Sequence, residues 1–95
     1  MKKYIFIYSN TLGTLTEVTE LLDSMSEISE WRTDIPNSFI LKSDLEAKQL
    51  ANIIIEKKPN ARFLISEITE NRQGWLPKES WNFIKDKDSG NQFTE

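Results

Sequence analysis

The stretch from Phe63 to Ile84 constrains the fold more than any other part of the chain. Phe63-Leu64-Ile65-Ser66-Glu67-Ile68 is rich in β-branched and aromatic residues, and it is bounded by Pro59-Asn60 before and by Thr69 to Gly74 after. That pattern predicts a buried strand running into a polar loop. A short helix follows, with Pro77 suited to its first position because a helix start leaves that N–H unpaired in any case. Trp75 and Trp81 are spaced too far around a helix for one face to carry both. Trp75 is therefore expected to anchor the loop, while Trp81, Ile84 and Phe83 dock the helix as a lid over one face of a small sheet. The alternative use of these aromatics is a partner-binding or base-stacking surface.

Taken in order, Tyr4-Ile5-Phe6-Ile7-Tyr8 predicts a first strand ended by Ser9-Asn10. Its alternation sets Ile5 and Ile7 on one face and Tyr4, Phe6 and Tyr8 on the other. Leu15, Val18, Leu22 and Met25 then recur at helical spacing, with Thr11 or Thr14 near the start and Glu17 and Glu20 in the early turns. This helix is expected across the Ile5/Ile7 face. From Glu30 the pattern shortens to alternation, and Ile35-Pro36-Asn37-Ser38 carries hairpin turn chemistry between a strand holding Trp31 and a returning strand at Phe39-Ile40-Leu41. Ser43-Asp44-Leu45-Glu46 reads as a capping box for a second helix with Ala47, Leu50, Ala51 and Ile54 inward. Lys57-Lys58-Pro59-Asn60 stops it.

The order is β-α-β-β-α-β with a short C-terminal helix, so the predicted fold is α+β and ferredoxin-like. Ninety-five residues make one domain, over 1–85, followed by a flexible polar tail over 86–95. With both helices on the Ile5/Ile7 face, Tyr4, Phe6 and Tyr8 would line an open face. The Trp75 to Ile84 segment or a second subunit must cover it.

Composition narrows the chemistry. No cysteine is present, which excludes disulfides and thiolate chemistry, and no histidine, which excludes the usual serine–histidine triad and histidine-ligated zinc. With 12 basic and 15 acidic residues the net charge is −3, and no basic stripe of the kind that neutralises phosphates is visible. The apolar run after Met1-Lys2-Lys3 is too short for a signal peptide or a membrane span, so a cytoplasmic protein without a membrane partner is expected.

Three stretches carry a family likeness: Lys3 to Tyr8, the hairpin from Trp31 to Lys42 with Ser43-Asp44-Leu45, and Ile65-Ser66-Glu67-Ile68 leading to Gly74-Trp75-Leu76-Pro77-Lys78-Glu79-Ser80-Trp81. On these the chain resembles the SinR-like small proteins, relatives of the CRISPR-associated Cas-two ferredoxin-like family and distinct from the sporulation repressor of similar name. The resemblance implies a homodimer packing sheet against sheet. For the Cas-two branch it further implies a metal-dependent nuclease or a structural role in DNA integration, with an aspartate after the first strand holding a divalent cation. Here that position is Ser9, a poor ligand for a hard dication. Asp34, Asp44 and Glu67 are the replacements the pattern offers.

Two functions follow as expectations. The first is a non-catalytic interaction module, of antitoxin, immunity or defence-accessory type, without metal or cofactor, its acidic balance suiting a basic protein partner. Its partner or dimer face would comprise Tyr4, Phe6, Tyr8, Arg72, Trp75 and Trp81. The alternative is a Cas-two-type endonuclease, or a non-cleaving nucleic-acid binder that stacks bases on Tyr4, Tyr8 and Trp75 and holds phosphates with Arg32, Arg62 and Arg72.

Overall fold

The structure, a computed structural model, describes residues 1–86. Its elements are β1 (Lys2–Tyr8), a 3-10 turn (Asn10–Leu12), α1 (Leu15–Asp23), β2 (Glu30–Arg32), β3 (Ser38–Ser43), α2 (Ala47–Lys57), β4 (Phe63–Glu67) and α3 (Lys78–Lys85). The four strands form one sheet in the order β2-β3-β1-β4, and every neighbouring pair is antiparallel. The chain is thus α+β, as predicted. Of the tail expected over 86–95, all but Asp86 lies outside the described residues. Among the described residues no helix is long and apolar enough to cross a membrane.

The caps follow from local chemistry. Thr14 accepts from the Glu17 backbone N–H while the Glu17 carboxylate accepts from the Thr14 N–H, which closes a capping box on α1. Gly13 ahead of it has φ 136°, and a Cβ there would stand 2.9 Å from that same Glu17 carboxylate, so the tight entry needs glycine. At α2 the capping box lies later than predicted. The N-cap is Glu46, reciprocally paired with Gln49, while Ser43 ends β3, donating to the Glu27 carbonyl and accepting from the Leu45 N–H. Ser43 is buried, so its hydroxyl is drawn to the nearest unpaired backbone groups rather than to a helix start.

The larger correction concerns which face of β1 meets the helices. Tyr4, Phe6 and Tyr8 are buried among Val18, Leu22, Leu50 and Ile54, so the aromatic face is the core and the Ile5/Ile7 face lies opposite. Burying rings in the layer beneath two helices removes more apolar area than burying isoleucines there. Burial leaves the Tyr4 hydroxyl satisfied, since it donates to the Leu45 carbonyl at 2.6 Å. Phe6 packs within 5.8 Å of both Tyr8 and Phe63, and Phe39 continues the cluster to Trp31 at 5.2 Å.

On the opposite face Ile40, Trp81 and Ile84 form a second cluster, joined by Ile5, Ile68, Leu76 and Phe83. Helix α3 therefore lies over the sheet as the lid reading required, on the isoleucine side. The inversion gives two unequal outcomes for neighbouring residues. Phe6→Ala is expected to destabilise the fold by about 3–5 kcal/mol and Ile7→Ala, at a side chain 47% exposed, by about 1 kcal/mol or less, as urea denaturation measures. Equal losses would restore the opposite assignment of faces.

Candidate functional site

Helix α3 is held at both ends by carboxylates. At its start Asp34 accepts from the Arg32 guanidinium in a bidentate pair, Nε at 3.1 Å and Nη2 at 3.0 Å, and from the Ser80 hydroxyl of α3. These bonds, the Arg32 pair foremost, hold the Asp34 carboxyl below its ordinary range. At its end Asp86, with φ 59°, caps the helix in the left-handed region and accepts from Lys3 and, at 2.9 Å, from Lys42. Lys3 and Lys42 are cross-strand partners on the lid side of the sheet. Their like charges need a shared anion between them, and Asp86 supplies it. Lys42 also lies 4.2 Å from the centre of the Phe83 ring, a cation–π contact that fixes the helix laterally. The bonds from Lys3 and then Lys42 bring the Asp86 carboxyl down from 3.8 to about 2.

Between α3, the loop over 69–77 and the sheet lies a cavity of about 290 Å³, lined mainly by Ile5, Ile40, Ile68, Leu76, Trp81 and Ile84. Its rim carries Ile35, which is 53% exposed, and Trp75, which is 99% exposed. The predicted loop anchor is therefore absent, because Trp75 points to solvent and Leu76 fills the apolar slot beside the helix instead. Pro77 stands one position earlier than predicted, as the N-cap, and its carbonyl accepts from the Ser80 and Trp81 N–H groups. Arg72 braces the loop, donating to the Thr69 carbonyl at 3.0 Å and lying 3.9 Å from the Glu70 carboxylate.

Of the six residues predicted to share a partner face, the cavity brings together Arg72, Trp75 and Trp81, with Trp81 buried in its floor. Tyr4, Phe6 and Tyr8 belong to the core under α1 and α2 and can neither contact a partner nor stack on a base. Arg32 is committed to Asp34. Ser9 caps the 3-10 turn, its hydroxyl accepting from the Thr11 N–H at 3.3 Å and sharing a bond with the Thr11 hydroxyl at 2.5 Å. The replacement ligands do not converge on it. Asp34 sits under α3, Asp44 in the β3–α2 turn, and Glu67 pairs across from Tyr4 at the far end of β1. Among the described residues no three acidic side chains gather into a potential metal site.

The two clamps escaped the sequence reading. Lys3 and Lys42 become neighbours only once the β1–β3 register is known, and Asp34 and Ser80 are joined only by the lid. One signal was present: Lys3 and Lys42 alternate onto the same faces of their strands as Ile5 and Ile40.

Compared with known proteins, the chain matches no family model, no curated protein and no solved structure.

The clamps set a pH dependence. A carboxyl depressed in the folded state stabilises it fully above the unfolded value and loses that contribution as pH falls through the folded one. Lid docking is therefore expected to be constant above about pH 4 and to weaken progressively from there towards about pH 2, where Asp86 protonates. Trp81 fluorescence, isolated by comparing the chain with its Trp81→Phe variant, follows the change. In Asp86→Asn the acid transition should shrink; an identical transition in that variant would assign acid sensitivity elsewhere.

Proposed function

We propose that this chain is a non-catalytic protein-interaction module that binds a basic protein partner through the groove at the Trp75 rim. The observation that carries this reading is Trp75 itself. A tryptophan that is 99% exposed, beside an apolar cavity whose floor is already formed, contributes nothing to the fold it stands on. Burying its 150–250 Å² against a partner is worth on the order of 4–6 kcal/mol before the cost of association. Tryptophan is also, with tyrosine and arginine, among the residues enriched at the desolvated hot spots of protein interfaces.

Charge supports the sign of the partner. The chain as a whole carries −3, which suits a basic partner, while beside the rim Glu70 pairs with Arg72 and Glu79 adjoins Lys78. The carboxylates a hydrolytic reading would call on are instead committed to holding α3 or stand apart from one another. A surface of this kind suits an antitoxin, immunity or accessory protein.

Two β-α-β units and the order β4-β1-β3-β2 with antiparallel neighbours support a ferredoxin-like sandwich. The Gly74-Trp75-Leu76-Pro77 to Trp81 pattern supports placing it with the SinR-like group. A cytoplasmic setting goes with that placement.

Affinity capture of the tagged chain from its host at native abundance, run beside Trp75→Ala, tests the function. A stoichiometric basic protein should be retained by the wild type and bound at least about thirtyfold more weakly by the variant, with unfolding stability changed by less than about 0.5 kcal/mol. A partner that binds both chains equally, or recovery of nucleic acid alone that salt releases, overturns the proposal.

A further inference from the structure

The two edges of the sheet are unlike. At one edge β2 is three residues long and places Glu30 and Arg32 on either side of Trp31. Shortness and charge are the usual protection of an edge. At the other edge β4 runs five residues, and its first four, Phe63-Leu64-Ile65-Ser66, contain neither charge nor proline. Among the described residues no strand pairs with its outer side.

The hydrogen-bond register shows which groups that outer side offers. Ser9 N–H donates to the Arg62 carbonyl at 3.0 Å and Ile68 N–H donates to the Lys3 carbonyl at 2.8 Å. These are bonded pairs at the two ends of one antiparallel register in which Ile5 meets Ser66 and Ile7 meets Leu64. Bonded and non-bonded pairs alternate along such a ladder. Leu64 and Ser66 therefore turn their backbone groups to β1, and Phe63, Ile65 and Glu67 turn theirs outward.

We propose that β4 pairs antiparallel with β4 of a second copy of this chain, about a two-fold axis at Leu64, joining two four-stranded sheets into one. With the axis at Leu64, Phe63 of each copy lies opposite Ile65 of the other. Both residues present outward N–H and C=O groups, so each pair exchanges two hydrogen bonds. Leu64, 60% exposed, meets its own counterpart on the lid side of the sheet. On the helix side Ile55 of α2, 47% exposed beside the edge, gains cover along with the half-buried Phe63 and Ile65. Charge selects the direction. In-register parallel pairing would set Arg62 against Arg62 and Glu67 against Glu67, whereas antiparallel pairing about Leu64 sets each Arg62 opposite the neutral Ser66 of the other copy and each Glu67 opposite Ala61. Pairing consumes both β4 edges and leaves only the two short β2 edges, so the assembly closes at two chains. This surface is separate from the Trp75 groove and does not depend on it.

Sedimentation and amide exchange test the pairing. The wild-type chain should sediment at twice 11.1 kDa. Leu64→Glu and Leu64→Lys, placed on an exposed site, should each keep native circular dichroism while associating at least about tenfold more weakly, because like charges then face each other across the axis. An equimolar mixture of the two variants should recover the dimer. In the wild type the Phe63 and Ile65 amides should exchange slowly and in Leu64→Glu rapidly, with Leu64 and Ser66 unchanged. Trp75→Ala should leave all of this intact. A monomeric wild type, a dimer that survives in Leu64→Glu, or protection lacking the alternation along β4 overturns the proposal.

Discussion

A central strand that is apolar on both faces governs this molecule. β1 lies between β3 and β4, so neither of its edges is available to solvent, and its five residues from Tyr4 to Tyr8 leave no polar side on which the sheet could rest against water. Antiparallel sheets usually solvate one face. This one is driven to cover both, with α1 and α2 over the rings and α3 over the isoleucines. The lid helix is accordingly part of the fold rather than an appendage. Its eight residues are too few to be helical alone, so its structure comes from docking.

How α3 docks explains where the charged residues of the chain went. A helix this short buries little, with Trp81 and Ile84 as its main apolar contributions. Two carboxylates at its ends add directional bonds where dispersion is thin, Asp34 receiving Ser80 and Asp86 receiving Lys3 and Lys42. The second clamp also removes a conflict made by the sheet itself, where the register sets Lys3 opposite Lys42. A side chain 10% exposed, such as that of Lys42, is stable as a cation only with a counter-charge and an aromatic face to hand, and it has both.

Elements were legible in the sequence where a single physical signal set them. Helical spacing gave α1, and alternation with Pro36-Asn37 gave the hairpin, whose Asn37 adopts φ 60° and donates to the Tyr8 carbonyl at 3.0 Å. The apolar run at Phe63 gave β4, though as a half-exposed edge strand rather than the buried one expected, and Pro77 with Trp81 and Ile84 gave the lid. What was not legible was any choice between two equally apolar options. β1 offers rings on one face and isoleucines on the other, and period-two alternation cannot say which side the helices take. Trp75 and Leu76 are likewise adjacent apolar residues at a helix entrance, and only the three-dimensional path of the loop decides that leucine turns in and tryptophan out. The Ser43 capping box failed for a related reason, since a buried serine one turn too early found a nearer backbone carbonyl at Glu27.

Trp75 and Leu64 are the two residues at which folding separates from the proposed associations. Trp75 stands outside the cores, and Leu64, 60% exposed, is on neither cluster. Both are large and apolar, and removing either leaves every clamp, cap and ring contact in place. Where an anchor side chain also supports the monomer, its substitution mixes a loss of binding with a loss of stability. Here each sits where the chain has no structural use for it: one on the outer side of a loop braced from within by Arg72, the other beside an edge whose inner hydrogen bonds are all made to β1. Exposed apolar area of that kind is a standing liability for aggregation unless something covers it. A net charge of −3 and a short, charged β2 edge limit the liability elsewhere.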